Sequence, residues 1–106
     1  MTEGGGFFCD MKAMTRDERG RYEVLRAKLE AAVVSVEELP DGYLLRLRHG
    51  AIATEELGEW IAYERKCCRF FTLIAEGRAD SGRLRITGRD GVKDFIRAEF
   101  SAIRFE

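Results

Sequence analysis

The sequence predicts an α+β domain of two layers: a four-stranded, mainly antiparallel sheet with helices packed on one face. Apolar residues recur at spacings of three and four in stretches 22–32, 57–68 and 92–103, which is the signature of amphipathic helices. Between them stand pairs of short β-branched or alternating runs, 33–36 with 43–48 and 70–76 with 83–87. Each pair is joined by turn residues, so each reads as a hairpin, and the element order is α-β-β-α-β-β-α.

The first helix is expected over 16–32. Thr15 and Glu18 have capping-box spacing, in which each side chain satisfies a free N–H of the first turn. Tyr22, Leu25, Leu29 and Ala32 form its apolar stripe. Val33-Val34-Ser35-Val36 starts the first strand, and Pro40-Asp41-Gly42 turns the chain, with Pro setting one φ and Gly accepting a positive one. Tyr43, Leu45 and Leu47 then face one way, and Arg46 and Arg48 the other. Thr54 is read as the cap of the second helix, with Glu55 and Glu56 where the helix dipole favours acids. Its stripe is Leu57, Trp60, Ile61, Glu64, Cys67 and Cys68. Residues 70–76 and 83–87 form the second hairpin around a turn at 77–82. Asp90-Gly91 opens the last helix, whose stripe is Val92, Phe95, Ile96, Phe100 and Ile103.

A chain of 106 residues is one domain by size, read as 1–106 with a flexible glycine-bearing arm at 1–6. A net charge of −1 gives no bias toward nucleic acid or an anionic membrane. No apolar run approaches the ~18 residues of a membrane span, and MTEGGGFF lacks the basic start and apolar stretch of a signal peptide. The expected location is the cytoplasm, where thiols stay reduced; three cysteines is also an odd count for a disulfide framework.

The chemistry-bearing stretch is ERKCCRFF, at 64–71. One reading is packing, since free cysteine is among the most buried residue types. The other is a thiol site. Arg65, Lys66 and Arg69 flank the pair and favour thiolate, whereas the C-terminal end of a helix disfavours it. Glu64 stands three and four residues before the two cysteines, on one helical face, in a stripe otherwise apolar. An inward carboxylate needs a partner, either a donor side chain or an ion. Cys9, in FFCD, joins the pair if the N-terminal segment folds back. Cys9, Cys67, Cys68 and Glu64 would suit a soft ion such as zinc, copper or mercury. His49, the lone histidine, ends a strand at a turn and reads as a surface loop residue, so no Ser-His-Asp set or Cys–His pair stands near the thiols. Arg46, Arg48, Arg83 and Arg85 are expected on one solvated sheet face. Gly88-Arg89-Asp90-Gly91 reads as a turn and helix cap, since the Lys-Ser/Thr ending of a P-loop is missing.

ERKCCRFF resembles the E-R-x-C-C-P-F-x-x-F signature of a small uncharacterised bacterial protein family. Cys9-Asp10-Met11-Lys12-Ala13-Met14 is similar to that family's opening C-[DN]-[LM]-x-A-[LM] element. Glu38-Leu39-Pro40-Asp41-Gly42-Tyr43 and the segment 87–96 resemble two further motifs, so the likeness spans nearly the whole chain. It implies bacterial origin, an association with metal-resistance loci, and two cysteine-bearing motifs that act together, which brings Cys9 toward Cys67 or Cys68. Arg69 departs from the family, which has proline there. The functional expectation is a thiol-based soft-metal-binding or metal-handling accessory; the alternative is an interaction domain whose cysteines only pack.

Overall fold

A computed structural model describes residues 10–78 and 81–105. The elements follow the expected order: α1 (Arg16–Ala32), β1 (Val33–Leu39), β2 (Gly42–Leu47), α2 (Thr54–Cys67), β3 (Thr72–Arg78), β4 (Ser81–Thr87) and α3 (Val92–Glu99). A 3-10 turn, Met11–Ala13, precedes α1. The four strands form one antiparallel sheet in the order β1-β2-β4-β3. The two hairpins therefore meet through β2 and β4, the most buried strands, and β1 and β3 form the edges. No helix of the described residues is long and apolar enough to cross a membrane.

The alternation of β2 decides which face is covered. Tyr43, Leu45 and Leu47 are buried, and their neighbours across the sheet, Leu84 and Ile86 of β4 and Leu73 of β3, join them in one core. The helices supply the other layer: Tyr22, Leu25, Leu29 and Ala32 from α1, Leu57, Trp60 and Ile61 from α2, and Val92 and Ile96 from α3. On the opposite sheet face, Arg46 lies across from Arg83, and Arg85 across from Ile74. Ion pairs of Arg46 with Glu37 and of Arg85 with Glu76 cover that face, as expected of a solvated surface.

Local chemistry explains the boundaries. The capping box of α1 is complete, with Thr15 Oγ1 accepting from Glu18 N and Glu18 Oε1 accepting from Thr15 N. For α2 the expectation is corrected by one residue: Ala53, not Thr54, is the N-cap. Alanine offers no side-chain acceptor, so only half of the box forms, Glu56 Oε1 accepting from Ala53 N at 3.0 Å. The second hairpin is also tighter than expected, since β3 runs to Arg78 and β4 begins at Ser81. The expected stripe of the last helix outruns it: α3 ends at Glu99, with Phe100 as its C-cap and Ile103 buried in the following turn. Gly91 caps the start of α3 at φ 93°, a left-handed conformation that disfavours a side chain.

Gly42 is fixed by close approach. A Cβ there would lie 1.9 Å from the carbonyl oxygen of Ile86 on the neighbouring strand, a backbone atom that cannot swing aside. Gly42→Ala is expected to destabilise the fold by more than ~2 kcal/mol, the scale of a forced shift inside a packed region. Chemical denaturation measures it, and a loss within ~0.5 kcal/mol, as at an ordinary surface position, would contradict the register of β2 and β4.

Candidate functional site

The site is built at the C-terminal end of α2. Helical spacing turns Trp60, Glu64 and Cys67 to the same side, toward α1 and the sheet, and carries a carboxyl group into the core with them. Glu64 is 0 % exposed, Cys67 2 % and Cys68 0 %. Cys67 is the last helical residue. Cys68 is the C-cap, and its N–H donates to Glu64 O at 2.7 Å. The chain then turns through Arg69 and Phe70, with Phe71 N–H donating to Cys68 O, and enters β3. Phe70, Phe71 and Phe95 pack edge-on around this corner, with ring centroids 4.7–5.9 Å apart.

Glu64 has the inward orientation and the donor that its place in the stripe called for. The hydroxyl of Tyr22, on α1, donates to Glu64 Oε1 at 2.6 Å. Behind Tyr22 stands Arg26, one helical turn on, which reaches its hydroxyl at 3.5 Å, pairs with Glu99 at 2.9 Å and lies 4.7 Å over the ring of Phe100. A relay thus runs from the partly exposed Glu99 and Arg26 inward through Tyr22 to the buried Glu64. Sequence reasoning passed over Tyr22, Arg26 and Glu99, because a tyrosine in an apolar stripe reads as packing. The signal available was Arg26, four residues after Tyr22 on the same helix.

The other carboxyl oxygen is unsatisfied. Glu64 Oε2 is buried and has no hydrogen-bond partner among the described residues. The ligand atoms of Glu64, Cys67 and Cys68 all lie within 4.8 Å of one another, and the two Sγ atoms are 3.7 Å apart. Two sulfurs on a tetrahedral ion with bonds of about 2.3 Å sit about 3.8 Å apart, whereas a linear ion would hold them about 4.6 Å apart. The spacing thus fits the edge of a tetrahedron, and the donor set of two sulfurs and a carboxylate suits a soft or borderline cation.

Protonation runs against the thiolate expected from the flanking cations. Arg65 is drawn off to Leu73 O at 2.9 Å, Lys66 pairs with Glu18 at 3.0 Å, and Arg69 is exposed. With those charges turned away, burial pushes the Cys67 thiol up to about 12, and the neighbouring Glu64 carboxylate adds to the shift. Cys67 is therefore a protonated thiol at neutral pH, with Glu64 O at 3.7 Å as its acceptor. Burial also raises the Glu64 carboxyl to about 7, against the Tyr22 hydrogen bond and the Arg26 charge, which lower it. Burial, reinforced by Glu64, holds the Tyr22 phenol well above its ordinary range.

The two vicinal cysteines differ in state: Cys67 is a free thiol, whereas Cys68 is disulfide-bonded. Their 3.7 Å separation excludes a bond between them. Cys9, and the arm at 1–6, lie outside the described residues. Asp10 does not: its backbone N–H donates to Cys67 O at 2.7 Å, fastening the start of the 3-10 turn to the end of α2. His49 is exposed in the turn after β2, as expected. It lines an open cavity of about 350 Å³ with Leu47, Ile52, Leu57 and Glu76, none of which belongs to the cysteine cluster.

The raised carboxyl makes a test of the metal-free protein. Between an ordinary value of 4.5 and about 7, the folded state holds a proton that the unfolded state has released. Stability is therefore full below the lower value, falls as pH rises through the window, and is level above it. Glu64→Gln removes that dependence, so the variant should gain on the wild type across the window, by up to about 3 kcal/mol. Urea denaturation at both ends of the window measures the difference, and a difference flat in pH would show that Glu64 is not a buried carboxyl. Tyr22→Phe should cost about 1–3 kcal/mol, because it orphans the second oxygen as well.

No protein-family model, no curated protein and no solved structure matches this chain.

Proposed function

We propose that the protein binds a soft or borderline metal ion in its reduced state, through Cys67, Cys68 and Glu64, with Cys9 as the fourth donor of the chain. The observation that supports this most directly is the orphaned Glu64 Oε2, buried beside two sulfurs. A buried carboxylate oxygen without a donor is costly. A cation that takes this oxygen and the thiolates together removes that cost, and converts a destabilising group into a ligand. Tyr22 would orient the carboxylate through its other oxygen, as an outer partner commonly does for a ligating acid.

The protons are accounted for by the same groups. A thiol must lose its proton to bind a metal, and Cys67 holds its proton tightly in the metal-free protein. Binding should therefore release protons and strengthen as pH rises. A site of this kind suits storage or transfer of an ion, since its donors belong to the protein and, among the described residues, no catalytic base beyond Glu64 adjoins them. The competing reading, two cysteines that only pack, draws on their exposures of 2 % and 0 %.

Titration of the fully reduced protein with zinc, copper(I) or mercury(II), followed by native mass spectrometry, separates the two. One ion per chain is expected. Cys67→Ser with Cys68→Ser should abolish stoichiometric binding, and Glu64→Gln should weaken it about tenfold or more, the scale for losing a ligand or its support. Reduced protein that stays metal-free, or a double variant that binds as the wild type does, would leave packing as the role of the cysteines.

A further inference from the structure

We infer that the cavity beside His49 binds a small organic carboxylate, with its apolar body on the bare end of the sheet and its anionic head between Arg48, His49 and the start of α2. This site shares no residue with the cysteine cluster and needs no metal. Its floor follows from the strand ladder. On the covered face of the sheet, side chains shrink row by row toward one end. Tyr43, Ile86 and Leu73 form one row, Leu45, Leu84 and Ala75 the next, and Leu47, Gly82 and Gly77 the last. Leu73 is 1 % exposed, whereas Ala75, two residues on and on the same face, is exposed. On β3 and β4 the last row is backbone alone. Leu47, Ile52 and Leu57, the first buried residue of α2, supply apolar walls around about 350 Å³ of open space.

The taper is not forced by the fold. Gly82 has room for a side chain: a Cβ there would meet only Leu47, at 3.7 Å, an ordinary contact. Its φ is not positive, so its backbone does not require glycine either. The register on both sides of β4 runs through Gly82 without a bulge. Glycine inside a strand weakens it, through backbone entropy and lost packing. A strand glycine that neither space nor angle demands marks the approach of another group to the backbone. The volume lies in the range of about 300–1,000 Å³ that small-molecule sites occupy.

The solvent side of the cavity selects the charge. Arg48, His49 and Thr54 line it and are exposed. Among the described residues, the side chains of Arg48 and His49 have no hydrogen-bond or ion-pair partner. Glu76, the acid of the lining, pairs with Arg85 at 3.7 Å. α2 begins at the same rim, and its N-cap, Ala53, brings no side-chain acceptor to the free N–H groups of the first turn. The acids of that turn do not fill the place: Glu56 is held by Ala53 N at 3.0 Å and Lys28 at 2.6 Å, and Glu55 does not line the cavity. A carboxylate entering here meets a guanidinium fork, an imidazole donor and the positive end of a helix, with apolar walls behind it. A cation would be opposed by Arg48, and a neutral molecule would leave it unpaired.

Phenylbutanoate is the probe, with phenylbutanol and phenylbutylamine as matched neutral and cationic controls, titrated into the isotope-labelled full chain and followed by two-dimensional amide NMR. Saturable binding of the carboxylate is expected with a Kd of roughly 1 mM or tighter, with shifts centred on residues 47–57, 75–77 and 82. The alcohol and the amine should bind about tenfold more weakly or worse, since they lack the charge-assisted bonds. Arg48→Ala with His49→Ala should bring the carboxylate down to the level of the alcohol. Gly82→Leu, or Ala75→Leu where the first variant does not fold, should fill the floor and abolish binding of all three. No saturation by the carboxylate, shifts centred elsewhere, equal binding of the carboxylate and either control, or unchanged binding in the filled variant would overturn the site. Shifts of the same amides with protein concentration alone would assign the cavity to a second copy of the chain, and would overturn it too.

Discussion

The hydrogen bond from Tyr22 to Glu64 is the constraint on which the site depends. It joins α1 to α2 inside the core, and it is the reason a carboxyl group can lie at 0 % exposure without a counter-charge in direct contact. One oxygen is satisfied at 2.6 Å and the other is not. That asymmetry matters more than burial alone. A fully paired carboxylate would be a structural cross-link between helices, and a fully unpaired one would stay protonated or be expelled. With one oxygen satisfied, the group is oriented by one side and available on the other.

The end of α2 adds three effects in the same few residues. The last turn of the helix exposes carbonyls, whose negative partial charge opposes a thiolate. Burial opposes it further, and the nearby Glu64 adds to both. Arg65 and Lys66, which could have compensated, are engaged elsewhere by Leu73 O and Glu18. The metal-free cluster is therefore electrically quiet: a neutral thiol, a disulfide sulfur and a carboxyl that titrates near neutrality. Charge would build up there only when a cation arrives to share it, which makes the site's empty and occupied states compatible with the same apolar surroundings of Trp60, Phe71 and Phe100.

The rest of the fold serves to hold this corner still. β2 and β4 meet at the centre of the sheet under the close approach of Gly42 to Ile86, and the rings of Phe70, Phe71 and Phe95 wedge the exit of α2 against α3. Arg69 follows an intact helix exit: α2 ends at Cys67, and Cys68 caps it. On the opposite face of the sheet, Arg46 and Arg85 pair with Glu37 and Glu76, which balances part of its positive charge locally.

Helical and alternating periodicity, with turn chemistry, determined the element order and the covered face of the sheet, because burying an apolar stripe leaves few other arrangements for this chain. The same periodicity pointed Glu64 inward, since a residue between Ile61 and Cys67 on one helical face has no other direction available. The sequence carried no information on which side chain from a distant element would meet it. Tyr22 is forty-two positions away, and only the packing of α1 on α2 brings its hydroxyl to the carboxylate. Likewise, neighbours in sequence suggested cations beside the thiols, and tertiary partners took those cations away. The state of each thiol was equally beyond the sequence: two adjacent cysteines are identical as letters. Both are buried at the end of α2, one as its last residue and the other as its cap, and only the folded chain distinguishes a free thiol at Cys67 from a disulfide-bonded Cys68.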